Sequence, residues 1–531
     1  MILHGAQSVV ILLTLLLAAR GHAAPQKKNE PSRDEKILQI QKLMNNRDLE
    51  QASRLLYQAT KQFPADAGFE NLRGIVAAQQ SNVVEAKRNF NKAIQHAPRF
   101  TAAYLNLARL YQENSASDPQ ARPKAFELYQ RVLRYDPKNV EANYQSAVLL
   151  LEAGKYQRSL ELLSHLPESI QRGAQQLSIA CADYVGLGDK NRADNATSRL
   201  LTNTDFSELD AEQMLPALLA GKRDDLIISL YEGLQKRTAL LPQGLSALGL
   251  AYDRMGRLPE ARATLERFVS GGNLSVSSLL ALAHVAYEQQ DYQGSLGYLA
   301  HARDLAPTDA SVHYFFGLVC LDLNLIAEAR NSFEEAVSLR PENPSYNYAM
   351  GATSAYRHDP AEAVPYFEKY IKLKPEDPRG KLALGVALFR AKDYAGATPW
   401  LTQAAKIPQT ATAAHYYLGS IDVQQRRLDE ARDELELALQ GKPDYADALA
   451  ELGQCYLVQK DYARAEQQIQ QALKIDPDHI SANFYLLNLY IRTGDPRREA
   501  QAKRFDELQK LRDQKVQEFL RMVEVDPFKG P

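Results

Sequence analysis

The sequence predicts an all-α chain in which antiparallel helix pairs stack into a right-handed superhelical solenoid of about 13 to 14 repeats. Three observations predict this fold. Small and bulky apolar residues recur with a period of 34 residues, prolines recur at the same period, and aspartates stand where second helices should begin. Because one helix pair can bury its apolar face only against the next, we expect a continuous array.

Five columns of residues keep this period over five consecutive repeats. The first column is Gly317, Gly351, Gly385, Gly419 and Gly453, and an alanine follows each glycine by twelve places. A bulky apolar residue, a second and mostly alanine column, and a proline complete the repeat. Glycine costs a helix about 1 kcal/mol against alanine, so its recurrence predicts a close approach of the second helix. Proline ends that helix because it cannot donate the backbone hydrogen bond.

Aspartates mark the turn between the two helices of a pair. Their carboxylates can accept hydrogen bonds from the free N–H groups of a helix start, which predicts N-caps. The predicted caps are Asp291, Asp359, Asp393, Asp461 and Asp495.

The repeats resemble those of the tetratricopeptide repeat family. One repeat matches the family pattern with Leu452, Gly453, Tyr456, Ala465, Ile469, Ala472 and Pro477. The resemblance covers nearly all of the chain beyond its N-terminal segment. It implies a scaffold that binds other macromolecules, and it leaves the identity of the partner and the oligomeric state open.

Six segments are predicted along the chain. The first combines a short apolar run with small residues after it, which is typical of a secretory signal peptide. We therefore predict a periplasmic or secreted protein of a bacterium, with membrane contact only through this signal if it stays uncleaved. The segments are the signal peptide (1–24), a flexible leader (25–34), an N-terminal array (35–167), degenerate helical repeats (168–241), a regular array (242–479), and capping helices with a tail (480–531).

The resemblance also implies a groove lined by the first helix of each pair. A tyrosine-rich groove suits an extended peptide or an amphipathic helix, because tyrosine offers a large contact area and a hydroxyl. The alternative is that these rings pack only against neighbouring repeats. The predicted groove residues are His284, Tyr287, Tyr314, Tyr348, Arg379, Phe389, Tyr416, Gln454, Phe484 and Asn488.

Composition excludes several function classes. The 63 basic and 65 acidic residues nearly balance, which gives no electrostatic reason to expect a nucleic-acid partner. Only Cys181, Cys320 and Cys455 occur, without zinc-site spacing. The chain carries no phosphate-binding loop and no metalloprotease or nucleophile-elbow motif. We therefore predict no enzyme activity, no metal and no cofactor.

The leading hypothesis is a protein-binding scaffold or adaptor in envelope assembly, secretion or polysaccharide export. The alternative is a carbohydrate-binding or glycosyltransferase-accessory repeat protein, in which tyrosines and Trp400 would stack on sugars. An enzyme hidden in residues 168–241 is a third possibility, which the missing glycine-rich loop and strand pattern disfavour.

Overall fold

The computed structural model describes residues 31–116, 118–356 and 360–523. Side chains are described in the same ranges except at residues 356 and 512–523. Every regular element in these ranges is an α-helix, which confirms the predicted fold class. The helices form two compact units, one up to Asn273 and one from Leu274. The division lies at the Gly271-Gly272-Asn273 turn, after which a new helix pair begins.

Unit 1 contains seven helix pairs among its described residues and one additional short helix, α9. The helices are α1 (Arg33–Asn45), α2 (Leu49–Gln62), α3 (Ala67–Gln79), α4 (Val83–His96), α5 (Thr101–Glu113), α6 (Ala121–Tyr135), α7 (Val140–Glu152), α8 (Tyr156–Ser164), α9 (Glu168–Gln171), α10 (Ala174–Gly186), α11 (Lys190–Thr202), α12 (Glu208–Ala220), α13 (Asp224–Gln235), α14 (Pro242–Arg254) and α15 (Leu258–Ser270).

Unit 2 contains seven further pairs among its described residues, so the two units together match the predicted number of repeats. The helices are α16 (Val276–Glu288), α17 (Tyr292–Leu305), α18 (Ala310–Asp322), α19 (Ile326–Leu339), α20 (Pro344–Tyr356), α21 (Pro360–Leu373), α22 (Pro378–Arg390), α23 (Tyr394–Ala405), α24 (Pro408–Gln424), α25 (Leu428–Gly441), α26 (Ala446–Val458), α27 (Tyr462–Ile475), α28 (Ile480–Thr493) and α29 (Arg498–Val523).

The glycine column sits at the closest approach of the two helices in a pair. A Cβ atom added to Gly317 would lie 2.6 Å from the ring of Phe333, and one added to Gly453 would lie 2.5 Å from Cγ1 of Ile469. Phe333 and Ile469 are themselves fully buried. The bulky side chain of the second helix therefore fills the space that glycine leaves open.

In most of the described pairs the turn inside the pair contains a left-handed residue, and in several of them a side-chain N-cap follows it. Gly188 adopts φ 73° and Lys460 adopts φ 64° immediately before a second helix. The predicted caps Asp291, Asp393 and Asp461 then accept hydrogen bonds from the third N–H of their helices at 2.9, 2.9 and 3.1 Å. The capping role predicted from sequence is confirmed at these three positions.

The other two predicted N-caps, Asp359 and Asp495, are not seen in the N-cap position. Asp359 lies outside the described residues. Asp495 accepts a hydrogen bond from the backbone N–H of Arg497 at 2.8 Å, and α29 begins one residue later, at Arg498. Asp495 therefore stabilises the turn before α29 and does not occupy the N-cap position itself.

The turn between pairs carries a second repeated interaction. The side-chain amides of Asn143, Asn347 and Asn483 donate to the carbonyl oxygens of the prolines six residues earlier, at 2.9, 2.9 and 3.1 Å. Each of these asparagines lies in the first turn of a first helix and is buried. The amide thus satisfies a carbonyl that the proline-induced break leaves without a helical partner.

The predicted signal peptide and residues 25–30 of the predicted leader lie outside the described residues, and α1 begins at Arg33. In the described part of the chain, no helix is both long enough and apolar enough to cross a membrane.

Candidate binding surface on the first helices of unit 2

The first helices of unit 2 lie side by side. From α20 onward, each first helix contacts the next first helix directly, whereas consecutive second helices contact each other less. Before α20, single side-chain contacts join the first helices: Tyr287 lies 5.7 Å from Phe315, and Tyr314 lies 4.8 Å from Tyr346. We call the side formed by α16, α18, α20, α22, α24, α26 and α28 the first-helix surface of unit 2.

All ten groove residues predicted from sequence lie on these first helices. His284, Arg379 and Phe484 are exposed, and 43% of Phe484 is accessible. The others are half-buried, namely Tyr287, Tyr314, Tyr348, Phe389, Tyr416, Gln454 and Asn488.

The half-buried aromatic rings join consecutive pairs. The ring of Tyr314 lies 4.8 Å from that of Tyr346 in the next pair, and Phe389 lies 5.3 Å from Tyr417 in the next pair. Aromatic contacts of this kind stabilise an interface by about 0.5 to 1.5 kcal/mol beyond their buried area. Packing against neighbouring repeats therefore accounts for part of the surface of these rings, and the rest is accessible to solvent.

Arg379 is held in place by a small network. Its guanidinium pairs with Asp377 at 2.6 Å and lies 5.7 Å above the ring of Tyr348. The Tyr370 hydroxyl donates to the same Asp377 carboxylate at 2.6 Å. Burial and this acidic neighbour raise the pKa of Tyr370 to about 12, and Arg379 holds the pKa of Asp377 far below its usual range. The guanidinium thus has an acidic and an aromatic neighbour, although its side chain is 66% exposed.

An open depression of about 590 Å³ adjoins this network. Its wall combines apolar rings with side chains of both charges, which gives it no single electrostatic character. The lining includes Pro344, Ser345, Tyr370, Lys374, Arg379 and Gln409.

A second polar group lies further along the surface, on α26. Oε2 of Glu451 is shielded from solvent and has no hydrogen-bond partner among the described residues. Burial, and next the nearby Asp447 carboxylate, raise the pKa of Glu451 to about 7. Asp447 is itself paired with His479, Nε2 to Oδ1 at 3.1 Å, and this pairing lowers the pKa of Asp447. Sequence reasoning missed Glu451, because a glutamate on an amphipathic helix usually faces water.

Unit 1 presents a different surface on its first helices, which sequence reasoning also missed. Asn106 donates to Asn71 on the preceding first helix at 3.0 Å, and Gln112 donates to Gln145 on the next at 3.2 Å. Arg109 pairs with Glu141 on that same next helix. Amide and charged side chains therefore join consecutive first helices here, whereas aromatic rings make several of the corresponding contacts in unit 2.

Trp400, on which the carbohydrate alternative rests, is half-buried. It packs against a core cluster that includes Phe367 and Leu384. This packing supports the interpretation of Trp400 as a partial core residue, and the carbohydrate alternative stays a prediction.

Cys181, Cys320 and Cys455 are buried free thiols. Burial is the main cause that raises the pKa of Cys320 and Cys455 to about 12, so these thiols stay protonated. Within the described ranges, no three His, Cys, Asp or Glu side chains are grouped so that they could hold a metal ion.

The sequence matches two models of the tetratricopeptide repeat. One matches residues 120–179 and 422–483. The other matches residues 37–97, 246–310, 280–347 and 348–414. These ranges cover more than half of the chain and fall in both units, and the structure shows the same helix pairs there. The chain belongs to the tetratricopeptide repeat family.

Among curated proteins, none matches this sequence. Solved structures do match. YrrB, described as a tetratricopeptide repeat protein with an unusual peptide-binding site, is 23% identical, with 35% of this chain and 95% of that chain covered and a TM-score of 0.29. The C-terminal part of a repeat protein from Cytophaga hutchinsonii is 16% identical over 45% of this chain and 98% of that chain, with a TM-score of 0.40. A repeat protein from Parabacteroides merdae is 14% identical over 47% and 98%, with a TM-score of 0.38.

Proposed function

We propose that this chain is a non-catalytic scaffold that binds an extended segment of a protein partner along the first-helix surface of unit 2. The observation that carries the proposal is the series of aromatic side chains on this surface, each packed against a neighbouring ring and partly accessible to solvent. Tyr348 and Tyr416 are half-buried in this way, and Phe484 is 43% exposed. Rings held rigidly by their neighbours bind with little loss of conformational entropy, so they suit a recognition surface.

The place of action is part of the same proposal. The apolar run and small residues of segment 1–24 support export to the periplasm or the outside of the cell, where the scaffold would serve envelope assembly, secretion or polysaccharide export. Fusing this segment to alkaline phosphatase tests export directly, because the phosphatase is active only after translocation. Activity equal to that of an unfused cytoplasmic phosphatase would remove this part of the proposal.

Peptide binding is tested by panning the chain, from Pro25 onward, against a displayed library of random dodecapeptides. Two matched variants separate the surfaces. Phe484→Ala changes the first-helix surface, and Leu437→Ala changes a residue of similar exposure, 42%, on the second helix α25. We expect Phe484→Ala to weaken binding of the selected peptides by about tenfold, since it removes a partly exposed aromatic contact. Leu437→Ala should leave binding unchanged.

Two results would contradict the proposal. Selected peptides that bind Phe484→Ala and the wild-type chain equally would place the contacts elsewhere. A library that yields no binding peptide would remove peptide recognition as the function of the chain. Circular dichroism melting of both variants controls for misfolding.

A further inference from the structure

Three consecutive second helices of unit 1 carry an excess of positive charge. With histidine counted as neutral, α2 has two basic residues and one acidic residue, α4 has three and one, and α6 has four and one. Their net charges are therefore +1, +2 and +3. The basic side chains of α2, α4 and α6 are exposed or half-buried, and we call the surface that they form the basic surface of unit 1.

This charge is specific to these three helices and is not a property of the repeat. In unit 2, α19 has one arginine against three glutamates, and α25 has one arginine against five acidic residues. Within unit 1, α13 has three acidic residues and no lysine or arginine. The near balance of charge over the whole chain therefore conceals a basic region at one place and acidic regions at others.

Several positive charges of the basic surface have no compensating carboxylate. Five of the nine basic side chains form ion pairs with acidic side chains, at 2.8 to 3.4 Å. The other four form no ion pair with any described residue, and at least one of them comes from each helix. They are Lys61 on α2, Lys87 and Lys92 on α4, and Arg134 on α6. These four charges remain available to an external anion.

Aromatic rings bring some of these charges together. Nζ of Lys87 on α4 lies 4.5 Å from the centre of the Tyr111 ring, and Nζ of Lys124 on α6 lies 5.5 Å from the same centre. On α2, Nζ of Lys61 lies 4.3 Å from the centre of the Tyr57 ring. The faces of tyrosine rings attract cations, but two ammonium groups at one ring repel each other. An anionic partner on this side would reduce that repulsion.

Exposed apolar side chains accompany the charges, one on each of the three helices. Tyr57 on α2 is 57% exposed, Val84 on α4 is 81% exposed, and Tyr135 on α6 is 49% exposed. Tyrosine is enriched where membranes meet water, because its ring is apolar and its hydroxyl is polar. A nucleic acid or an acidic peptide would satisfy the charges and leave Val84 in water. A bilayer interface offers both anionic headgroups and an apolar boundary.

We propose that the basic surface of unit 1 docks on a lipid bilayer that contains anionic phospholipids. Its lysines and arginines contact the headgroup phosphates, while Tyr57, Val84 and Tyr135 enter the interface. This contact goes beyond the proposed function and adds a second membrane contact to the one predicted for segment 1–24. Peptide binding does not depend on it, because that function uses the first helices of unit 2.

The test is sedimentation of the chain, from Pro25 onward, with vesicles of two compositions. One is phosphatidylcholine alone, and the other contains about 30% phosphatidylglycerol as the anionic lipid. We expect the anionic vesicles to bind at least about tenfold more tightly than the neutral ones. Raising the salt concentration from about 0.05 M to about 0.5 M should weaken this binding by about tenfold, because salt screens the charges.

One variant combines Lys61→Gln, Lys92→Gln and Arg134→Gln, which removes one uncompensated charge from each helix. It should bind the anionic vesicles about tenfold more weakly than the wild type. Val84→Ser keeps every charge and should weaken this binding by about threefold. Binding of a fluorescent oligothymidylate, which presents phosphates without an apolar boundary, should be the same for Val84→Ser and the wild type.

The matched control removes three lysines from exposed positions of unit 2, by Lys372→Gln, Lys406→Gln and Lys474→Gln. It should bind the anionic vesicles within about twofold of the wild type. Circular dichroism melting shows whether both triple variants are folded. In peptide binding, both should equal the wild type, so this inference and the proposed function can fail separately.

Four results would overturn the inference. They are absence of binding to anionic vesicles, equal binding to both compositions, wild-type binding by the variant of unit 1, and wild-type vesicle binding by Val84→Ser. The last result, together with tight binding of the oligothymidylate, would assign the basic surface to a soluble polyanion instead of a bilayer.

Discussion

The pair α12–α13 of unit 1 and the regular pairs of unit 2 have different side chains at the contact between their two helices. In the pair α18–α19, Gly317 faces the buried ring of Phe333, and Ala329 completes the contact. At the equivalent places of α12–α13, 102 residues earlier, the chain has Leu215, Ile227 and Tyr231. Large residues on both helices prevent a close approach, and α12 and α13 indeed contact each other less than the helices of the other pairs do.

A third pair makes the same contact with two small side chains. In the pair α10–α11, Cys181 replaces the glycine, and Thr197 replaces the bulky residue that follows sixteen places later. Both are buried, and Sγ of Cys181 lies 3.4 Å from Oγ1 of Thr197. The comparison teaches that the helix contact depends on the combined size of two positions, so a repeat can lose its glycine and keep its fold.

The largest effect on stability is expected when the contact of Gly317 with Phe333 in α18–α19 is replaced by the cysteine and threonine found in α10–α11. Phe333→Thr alone should lower the free energy of unfolding by about 3 to 5 kcal/mol, because it opens a cavity. Gly317→Cys alone should cost about 1 to 3 kcal/mol, because its side chain would meet the ring of Phe333. The double variant should lose less than the sum, by about 0.5 to 3 kcal/mol.

Urea unfolding of the four proteins gives these free energies, and hydrogen exchange in α18 and α19 shows whether the loss is local. Because repeat arrays unfold in parts, the local measurement decides. Strict additivity of the two losses would contradict complementary size as the rule.

A buried acid in the degenerate segment should give the next largest effect, and its sign depends on pH. Asp183 on α10 is fully buried, and neither of its carboxylate oxygens has a hydrogen-bond partner among the described residues. The neighbouring Ser159 hydroxyl donates instead to the carbonyl of Ala147, at 3.0 Å. Burial raises the pKa of Asp183 to about 7.

The folded chain therefore keeps this proton where the unfolded chain has lost it, between about pH 4 and pH 7, and stability falls across that range. At pH 8 we expect Asp183→Asn to be more stable than the wild type by roughly 4 kcal/mol, and at pH 4 by almost nothing. Urea titrations at several pH values measure this difference. Asp304→Asn, at an exposed position on α17, is the control and should show no such trend. A pH-independent effect at Asp183 would show that its charge is not the cause.

An intermediate loss of stability is expected when a small side chain at the contact between two helices is enlarged. Ala431 is fully buried against α24, so Ala431→Leu should overpack the pair and lower the free energy of unfolding by about 1 to 3 kcal/mol. The exposed neighbour Glu430→Lys should change it by less than about 0.5 kcal/mol. Equal effects in urea unfolding would contradict the assignment of Ala431 to the buried face of α25 and of Glu430 to its exposed face.

The sequence predicted the regular pairs well because their contacts are local. Gly453 and Ile469 meet within one pair, and Asp461 caps a helix that starts at the next residue, so spacing alone reveals both. The contact between Cys181 and Thr197 was not predicted. These residues replace the glycine and the bulky residue of the repeat together, and a search for recurring glycines does not detect two compensating substitutions. In the degenerate segment, Gly186 even accommodates Tyr156 of the preceding pair, which no fixed column anticipates.

The candidate surface was predicted only in part, for a physical reason. A 34-residue register shows which residues lie on the first helices, so Tyr348 and Phe484 could be assigned to that surface. Glu451 lies close enough to Tyr416 on α24 and Tyr485 on α28 to influence both, although each is more than 30 positions away from it in the sequence. Distances of this kind follow from packing and leave no periodic signal.

The smallest expected effect concerns whether a second helix has a side-chain N-cap. Asp393 caps α23 by accepting a hydrogen bond from Gly396 at 2.9 Å, whereas the N-cap position of α8 is occupied by Lys155, which makes no side-chain cap. Asp393→Ala should cost about 1 kcal/mol, and Lys155→Asp should gain a similar or smaller amount, since it supplies the missing acceptor. Thermal unfolding with hydrogen exchange in α23 and α8 separates these effects from the rest of the chain. If Lys155→Asp brings no gain while Asp393→Ala is costly, the backbone at the start of α8 must differ from that of the regular turn, and the two turns would not be equivalent.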